Sequence, residues 1–160
     1  MRHVLIAAFA CLLPAAAFAD ADAILAEAAK ACAEQDNGVF ASEGAVRQID
    51  MTGDGTPDTV VDEALFTCTT AASLYGGSGG SMIHIFANGT ESSFLVQGYE
   101  TARWADRLIV LLAVDGSGCN TISADPCFEA LTWVEDRFVS VRLFASFGRF
   151  SCRWLRMNLF

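Results

Sequence analysis

The stretch DMTGDGTPD, residues 50–58, places an oxygen-bearing residue at every second position between two apolar runs. Five residues supply these oxygens, Thr56 through its backbone carbonyl and the rest through side chains: Asp50, Thr52, Asp54, Thr56 and Asp58. Calcium is bound in proteins by roughly six to eight oxygens from carboxylates, carbonyls and water. The spacing therefore predicts a structural Ca²⁺ ion held by these five residues.

The stretch is similar to an EF-hand loop, which takes ligands from positions 1, 3, 5, 7 and 9 and needs glycine at position 6, here Gly55. It also resembles the D-x-[DN]-G-D-G-x-x-D loops of FG-GAP and VCBS repeat proteins and, more loosely, dockerin calcium loops. In those families a strand follows the loop, and here the strand-like segment PDTVVDEALF follows it. The resemblance implies the same five ligands. It covers one copy of one loop, and so implies neither a propeller fold nor an adhesion function.

A second interpretation of residues 50–58 stays open, because Asp, Thr and Gly also form turns that need no metal. Repulsion among Asp50, Asp54 and Asp58 favours the ion, since a bound dication removes the cost of bringing three carboxylates together. Three carboxylates and one neutral hydroxyl predict a dissociation constant on the order of 10⁻⁴ to 10⁻³ M, which suits extracellular calcium.

Two other segments carry residues that are typical of catalysis. GGSGG, residues 76–80, fits the G-x-S-x-G pattern with Ser78 as nucleophile, but that pattern needs a helix after it and a histidine downstream of an acid. His84 follows Ser78 by only six residues, so we predict a flexible turn. His84 itself is predicted to be satisfied by local hydrogen bonds or solvent.

Paired acids at Asp62-Glu63 and Glu135-Asp136 resemble the two carboxylates of a glycosidase. Neighbouring residues of a strand point to opposite faces, and Glu135-Asp136 suits a hairpin turn. We therefore expect neither pair to act as a catalytic couple.

The N-terminus has the order of charge, apolar run and small residues that marks a signal peptide, with cleavage predicted after Ala19. The apolar run of residues 4–19 is too short to serve as a membrane anchor, and Pro14 interrupts it. A lipid attached to Cys11 is the alternative processing. We expect residues 1–19 to be removed and the protein to be exported to the periplasm or the medium, with no transmembrane segment in the mature chain.

Five cysteines follow the predicted signal peptide: Cys32, Cys68, Cys119, Cys127 and Cys152. In an oxidising compartment they indicate disulfides, because the chain has no CxxC pair and too few histidines for a zinc site. A Cys119–Cys127 bridge would pin a polar loop for about 2.6 kcal/mol, and a Cys32–Cys68 bridge would contribute about 3.8 kcal/mol. These two pairs leave Cys152 as a free thiol, although the connectivity stays open.

The formal net charge of -9 becomes -10 once Arg2 is removed with the signal peptide. This charge excludes nucleic acid and anionic lipid as favoured partners, and favours cations and cationic proteins. Residues 20–160 are long enough for one domain with a hydrophobic core and too short to make two domains the first expectation.

Apolar periodicity predicts a helix over residues 20–36, started by Asp20 and Asp22 and stopped by Asn37-Gly38. Residues 46–143 form the β region, with strands at 46–49, 59–66, 82–87, 93–98, 101–104, 108–114, 130–134 and 138–143. Two-residue turns predict hairpins at 88–89, 105–106 and 135–136. The run LIVLLAV, residues 108–114, has no polar residue and therefore predicts a central strand buried on both faces. The expected fold is mainly β (α+β): an antiparallel sheet or small sandwich of about seven or eight strands with one N-terminal helix.

The tail, residues 144–160, is basic and apolar in an otherwise acidic chain. Arg149, Arg153 and Arg156 recur at helical spacing among aromatic and aliphatic residues. Four interpretations are open: a last element of the core, a segment lying on the acidic body, a membrane contact, or a protein contact with dimerisation through Cys152.

These observations favour an exported, non-catalytic domain, stabilised by calcium and two disulfides, that binds an unknown ligand or protein at the cell envelope. The alternative is a small secreted hydrolase that uses acidic residues such as Asp50 or Asp62. An inhibitor or periplasmic partner of a secreted enzyme is indistinguishable from the first hypothesis by sequence.

Overall fold

The computed structural model describes residues 15–105, 107–119, 122, 125 and 127–144. These residues form one α-helix, α1 (Ala15–Ala33), and two 3₁₀ helices, Glu63–Leu65 and Gly116–Cys119. They also form eleven strands: β1 (Phe40–Ala41), β2 (Val46–Ile49), β3 (Asp58–Asp62), β4 (Thr67–Cys68), β5 (Gly76–Gly77), β6 (Gly80–Ala87), β7 (Thr90–Val96), β8 (Gly98–Trp104), β9 (Arg107–Val114), β10 (Cys127–Val134) and β11 (Arg137–Phe144).

All strand pairs are antiparallel and belong to three sheets. Sheet I has the order β2-β3-β6-β7, with β5 also paired to β6, and sheet II has the order β8-β9-β10-β11. The third sheet is the short pair β1-β4. The chain passes from sheet I to sheet II through the single residue Gln97, between β7 and β8.

Sheets I and II enclose the main core, because alternate residues of their strands face one another across the gap. Its buried side chains are all apolar: Met51, Val60, Ile83, Ile85, Ala87, Val96, Leu108, Val110, Leu112 and Leu131. On sheet II, Trp133 and Phe138 add an edge-to-face aromatic pair with centroids 4.8 Å apart.

The helix α1 covers the other face of sheet I. Its Ala21 and Ala28 pack with Val61 and Phe86, whose neighbours in the same strands face the main core. The molecule therefore has three layers, helix, sheet I and sheet II. No helix of the described part of the chain has the length and hydropathy needed to cross a membrane.

The mainly β fold with one N-terminal helix is confirmed. All eight predicted strands are present, β2 with the predicted ends and the other seven with at least one end shifted. The three additional strands, β1, β4 and β5, contain two residues each and are therefore too short to show a periodic pattern in the sequence. The predicted strand 59–66 ends at Asp62, whose side chain accepts from the amide of Ala64 and caps the following 3₁₀ helix. The three predicted hairpins are formed by β6-β7, β8-β9 and β10-β11.

Two expectations were wrong. The helix does not start at Asp20 but spans Ala15–Ala33, through the predicted cleavage point, so Asp20 and Asp22 lie inside it rather than at its start. The run 108–114 is the expected central strand β9, yet it is not buried on both faces, because Val110 is buried whereas the next residue, Leu111, is 36% exposed.

Both expected disulfides are present. Cys32–Cys68 joins the end of α1 to β4, with Cα atoms 5.6 Å apart, and Cys119–Cys127 closes the segment between β9 and β10. Most of the predicted signal peptide, residues 1–14, and the tail 145–160 with Cys152 lie outside the described residues.

Candidate functional site

The loop 50–58 connects β2 to β3 and is organised by Asp50. The Asp50 carboxylate accepts hydrogen bonds from the amides of Gly53, at 2.5 Å, and Gly55, at 3.1 Å. Both glycines have left-handed backbone angles, with φ of 81° and 89°. A Cβ atom at Gly53 would also lie 3.0 Å from the Cβ of Leu108, so glycine is required there by conformation and by space.

Buried residues anchor the loop to the sandwich. The side chain of Met51 enters the main core. Asp58, at the start of β3, is 6% exposed and accepts hydrogen bonds from the amides of Met51 and Thr52 at 2.7 and 3.0 Å. On the outside, Arg103 of β8 lies 3.3 Å from the Asp50 carboxylate, which ties the loop to sheet II.

Thr52 differs from the other loop residues because its buried side-chain oxygen has no hydrogen-bond partner. It is 9% exposed, and its Oγ1 is a buried side-chain oxygen without a hydrogen-bond partner. Asp54, by contrast, is exposed and accepts from the amide of Thr56 at 2.7 Å. The Thr52 hydroxyl, at position 3 of the loop, is therefore removed from water without a hydrogen bond to compensate for the loss.

The carboxylates of the loop influence one another electrostatically. Burial raises the pKa of the Asp58 carboxyl above its usual range, and the charges of Asp54 and Asp50 raise it further, while the amides of Met51 and Thr52 act in the opposite direction. Each of the acids Asp50, Asp54 and Asp58 is at the same time turned toward backbone amides. Within the described ranges, no group of three or more His, Cys, Asp and Glu side chains is arranged to hold a metal ion.

The loop therefore fits calcium in part. Its left-handed Gly55 and the buried, unpartnered hydroxyl of Thr52 suit an oxygen-lined calcium loop, but the three carboxylates do not form a group arranged to hold an ion. Carboxylate oxygens have two lone pairs each, so an oxygen that accepts one amide can still coordinate an ion.

A second polar cluster surrounds His84 on the face of sheet I that α1 partly covers. One ring nitrogen, Nε2, is 2.9 Å from the Glu63 carboxylate, and the other, Nδ1, is 2.9 Å from the hydroxyl of Ser93 and 3.2 Å from the Glu91 carboxylate. Glu63 and His84 also line a cavity of about 280 Å³ against α1, next to Tyr75.

This arrangement limits the chemistry of His84. Its two ring nitrogens face different carboxylates, so Glu63 and Glu91 cannot join it on the same metal ion. The hydroxyl of Ser93 donates to Glu91 at 2.9 Å, and in this arrangement the imidazole does not take the proton of the serine. The expectation that local hydrogen bonds satisfy His84 agrees with these contacts.

A polar cleft of about 540 Å³ opens where the chain passes from sheet I to sheet II. Arg47 of β2 donates hydrogen bonds to the Asp62 carboxylate, at 3.0 Å, and to the hydroxyl of Tyr99. Burial raises the pKa of the Tyr99 hydroxyl above its usual range, and the charge of Arg47 acts against this shift. Gln97 and Ser81 add further polar side chains to the lining.

The remaining candidates from the sequence are separated by the fold. Asp62 lies in the cleft with Arg47, whereas Glu63 contacts His84, so this pair does not form a catalytic couple. Ser78 lies at the tip of the β5-β6 hairpin, and its carbonyl accepts from the side chain of Gln97.

Sequence reasoning missed the partners in both the cleft and the His84 cluster. Arg47 and Tyr99 are 52 residues apart, and His84 meets Glu63 across 21 residues. Only the pairing of β6 with β7 gave a local signal, because it aligns His84 with Ser93.

Comparisons with protein-family models, with curated proteins and with solved structures give no match to this chain.

Proposed function

We propose that the protein is an exported, non-catalytic binding domain whose fold is stabilised by two disulfides and by Ca²⁺ in the loop 50–58. The observation that carries the calcium component is the buried, unpartnered Oγ1 of Thr52, the ligand at position 3 of the loop. A bound cation would satisfy that oxygen and would relieve the repulsion among Asp50, Asp54 and Asp58.

The ligands would be the side chains of Asp50, Thr52, Asp54 and Asp58 with the carbonyl of Thr56. The ion would supply charge neutralisation and cross-linking of the loop rather than chemistry. Because Met51 and Asp58 tie this loop to the main core, holding it in place stabilises the whole sandwich.

The polar cleft is the surface that we assign to ligand binding. The Asp62 carboxylate and the Tyr99 hydroxyl both lie within hydrogen-bond distance of Arg47, so a few polar groups converge in the cleft, as they do in many small-molecule sites. The ligand class we expect is small and polar, since the cleft presents mostly polar side chains and glycine backbone.

The test is the melting temperature of the chain in EDTA, in millimolar Ca²⁺ and in millimolar Mg²⁺. At the predicted affinity, millimolar calcium reaches about ten times its dissociation constant and should stabilise the fold by about 1.4 kcal/mol. Magnesium should do much less, since it demands a smaller octahedral site. Asp54→Ala should abolish the calcium-dependent rise while leaving the melting temperature in EDTA nearly unchanged, because Asp54 is exposed.

The matched control is Asp58→Ala. It should lower stability with or without calcium, because it leaves two buried backbone amides without a hydrogen-bond acceptor. A calcium-dependent rise that survives in Asp54→Ala would refute the assignment of the site.

The second candidate function is a small secreted hydrolase. Ser93, His84 and Glu63 form a connected chain of polar contacts, and this chain supports a hydrolase only once the Ser93 hydroxyl turns from Glu91 to donate to Nδ1 of His84. Turnover of an ester, glycoside, phosphate or peptide substrate, lost in Ser93→Ala or in a variant of Asp50 or Asp62, would support the hydrolase and contradict the binding domain.

A further inference from the structure

The outer face of sheet II is an exposed apolar surface. Val110, Leu112 and Leu131 point into the main core, so the alternate residues of sheet II point outward. By strand register, the apolar residues of this outer face include Trp104, Ile109, Leu111, Phe128, Ala130 and Val139. Among them Trp104 is 77% exposed and Phe128 is 42% exposed.

Sheet I shows how this molecule treats such a face. Its outer apolar residues Val61 and Phe86 are buried under α1, an element that lies at one end of the chain. Sheet II presents an equivalent face, whose Leu111, Phe128 and Val139 stay exposed in the described part of the chain. Contiguous exposed apolar residues of this kind mark an interaction surface.

The last described strand belongs to this sheet. The strand β11, at the edge of sheet II, ends at Phe144, and residues 145–160 follow directly. Nine of these sixteen residues are apolar, three are arginine and none is acidic. As a helix they would extend about 24 Å, which exceeds the roughly 14 Å across the three strand spacings of the sheet. The segment therefore has the length and composition to cover the face.

Charge favours the same placement. Residues 20–144 hold all 19 acids against six lysines and arginines, a formal net charge of -13, whereas residues 145–160 carry +3. At helical spacing Arg149, Arg153 and Arg156 lie on one side of the segment, which leaves the rest of its circumference to apolar residues. An acid, Glu100, points outward on β8 opposite Leu111, toward the end of the sheet where β11 finishes.

We infer that residues 145–160 fold back over the outer face of sheet II and bury it, with their apolar side chains on Leu111 and Phe128 and their arginines directed to the rim of the face. The molecule then has four layers, with a terminal segment on the outer face of each sheet. This inference is independent of the calcium and ligand proposals.

The test uses Cys152, which in the full chain with Cys11→Ser is the only cysteine outside the two disulfides. Leu111→Cys adds a second thiol in the middle of the outer face of sheet II. Treatment with a short bis-maleimide, followed by intact mass and peptide mapping, should give a cross-link between the introduced thiol and Cys152 within one molecule.

The matched control is Leu65→Cys, since Leu65 is 43% exposed but belongs to the 3₁₀ helix that follows β3 of sheet I. We expect its cross-linking to Cys152 to be at least tenfold slower. Ala130→Cys, a smaller change on the same face, replaces Leu111→Cys should that variant fail to fold.

Three results would overturn the inference. Equal cross-linking rates at Leu111→Cys and Leu65→Cys would show that the segment is not held on sheet II. Cross-links only between two molecules would assign the face to a second copy. Capture of the chain by phosphatidylglycerol vesicles, without an intramolecular cross-link in their absence, would assign the segment to a membrane surface.

Discussion

At the scale of single residues, the hydroxyl of Thr52 distinguishes the loop 50–58 from an ordinary turn. Two carboxylates of the loop are satisfied as acceptors, since Asp58 and Asp50 each accept hydrogen bonds from two backbone amides. Thr52 Oγ1 is left buried without a partner, and an unsatisfied buried hydroxyl costs about 1 to 3 kcal/mol. An apolar residue of the same shape would avoid this cost, and the calcium ligation that we propose would give the threonine a role that offsets it.

Thr52→Val is the sharpest test of that reason, because valine has nearly the same shape without the oxygen. In EDTA the variant should be more stable than the unchanged chain by about 1 kcal/mol, since the unsatisfied hydroxyl is gone. In millimolar calcium it should gain less stability than the unchanged chain, since one ligand is missing.

Urea unfolding in the two buffers measures both effects. A Thr52→Val variant that is less stable in EDTA and responds fully to calcium would contradict the role given to this oxygen. Met51→Leu, a substitution of similar volume at the neighbouring core position, serves as control, because it should leave the calcium response unchanged.

At the scale of elements, the three hairpins depend on left-handed turn residues. Asn88 and Gly89 suit this conformation, with φ of 49° and 75°. The β8-β9 turn uses Ala105 instead, with φ of 55°. Alanine adopts the left-handed region only with strain, so this turn is less well matched to its conformation than the β6-β7 turn.

Ala105→Gly should therefore stabilise the fold by about 0.5 kcal/mol, the difference between the relieved strain and the greater freedom of glycine in the unfolded chain. The control is Ala102→Gly in β8, the same substitution in an extended strand of the same hairpin. It should destabilise the fold by about 0.5 to 1 kcal/mol, because glycine has no strand preference to offset its entropy.

Thermal unfolding of the two variants beside the unchanged chain gives the comparison. Two shifts of the same sign would contradict the argument, since it requires the turn and the strand to respond oppositely.

At the scale of the whole molecule, the layers are joined covalently as well as by packing. The Cys32–Cys68 disulfide joins α1 to β4 over a separation of 36 residues, whereas Cys119–Cys127 closes a separation of only 8. Because its loop is longer, the first bridge restricts far more of the unfolded chain than the second. Gly38 lies beside the first bridge, where a Cβ would be 2.6 Å from the Cys68 sulfur and 2.7 Å from the Cys32 carbonyl oxygen.

Replacing both cysteines of a pair by alanine should lower the free energy of unfolding by about 3.8 kcal/mol for Cys32–Cys68 and about 2.6 kcal/mol for Cys119–Cys127. Denaturant unfolding of the two double variants measures the difference, and each serves as the control for the other. A larger loss for the Cys119–Cys127 pair would contradict the loop-length argument.

The amino-acid sequence alone determined the longer secondary-structure elements of this protein. Period-two apolar runs, a single helical pattern and the turn residues at 88–89 and 135–136 are local signals, because a strand face or a turn conformation depends on neighbours in the chain. The eight longer strands, their hairpins and the mainly β class followed from these signals. The two-residue strands did not, because they form only where another strand supplies a partner. The two disulfide pairs were one of several connectivities that the sequence left open, and the tertiary structure decided between them.

Tertiary structure decided which polar residues meet. Arg47 reaches Tyr99, and His84 reaches Glu63, only after strand register and the packing of α1 and two sheets bring distant segments together. Likewise, the composition of LIVLLAV predicted burial on both faces, yet only one face of β9 has a described layer against it. Burial depends on what lies on each side of a sheet, and the sequence of one strand carries no information about that.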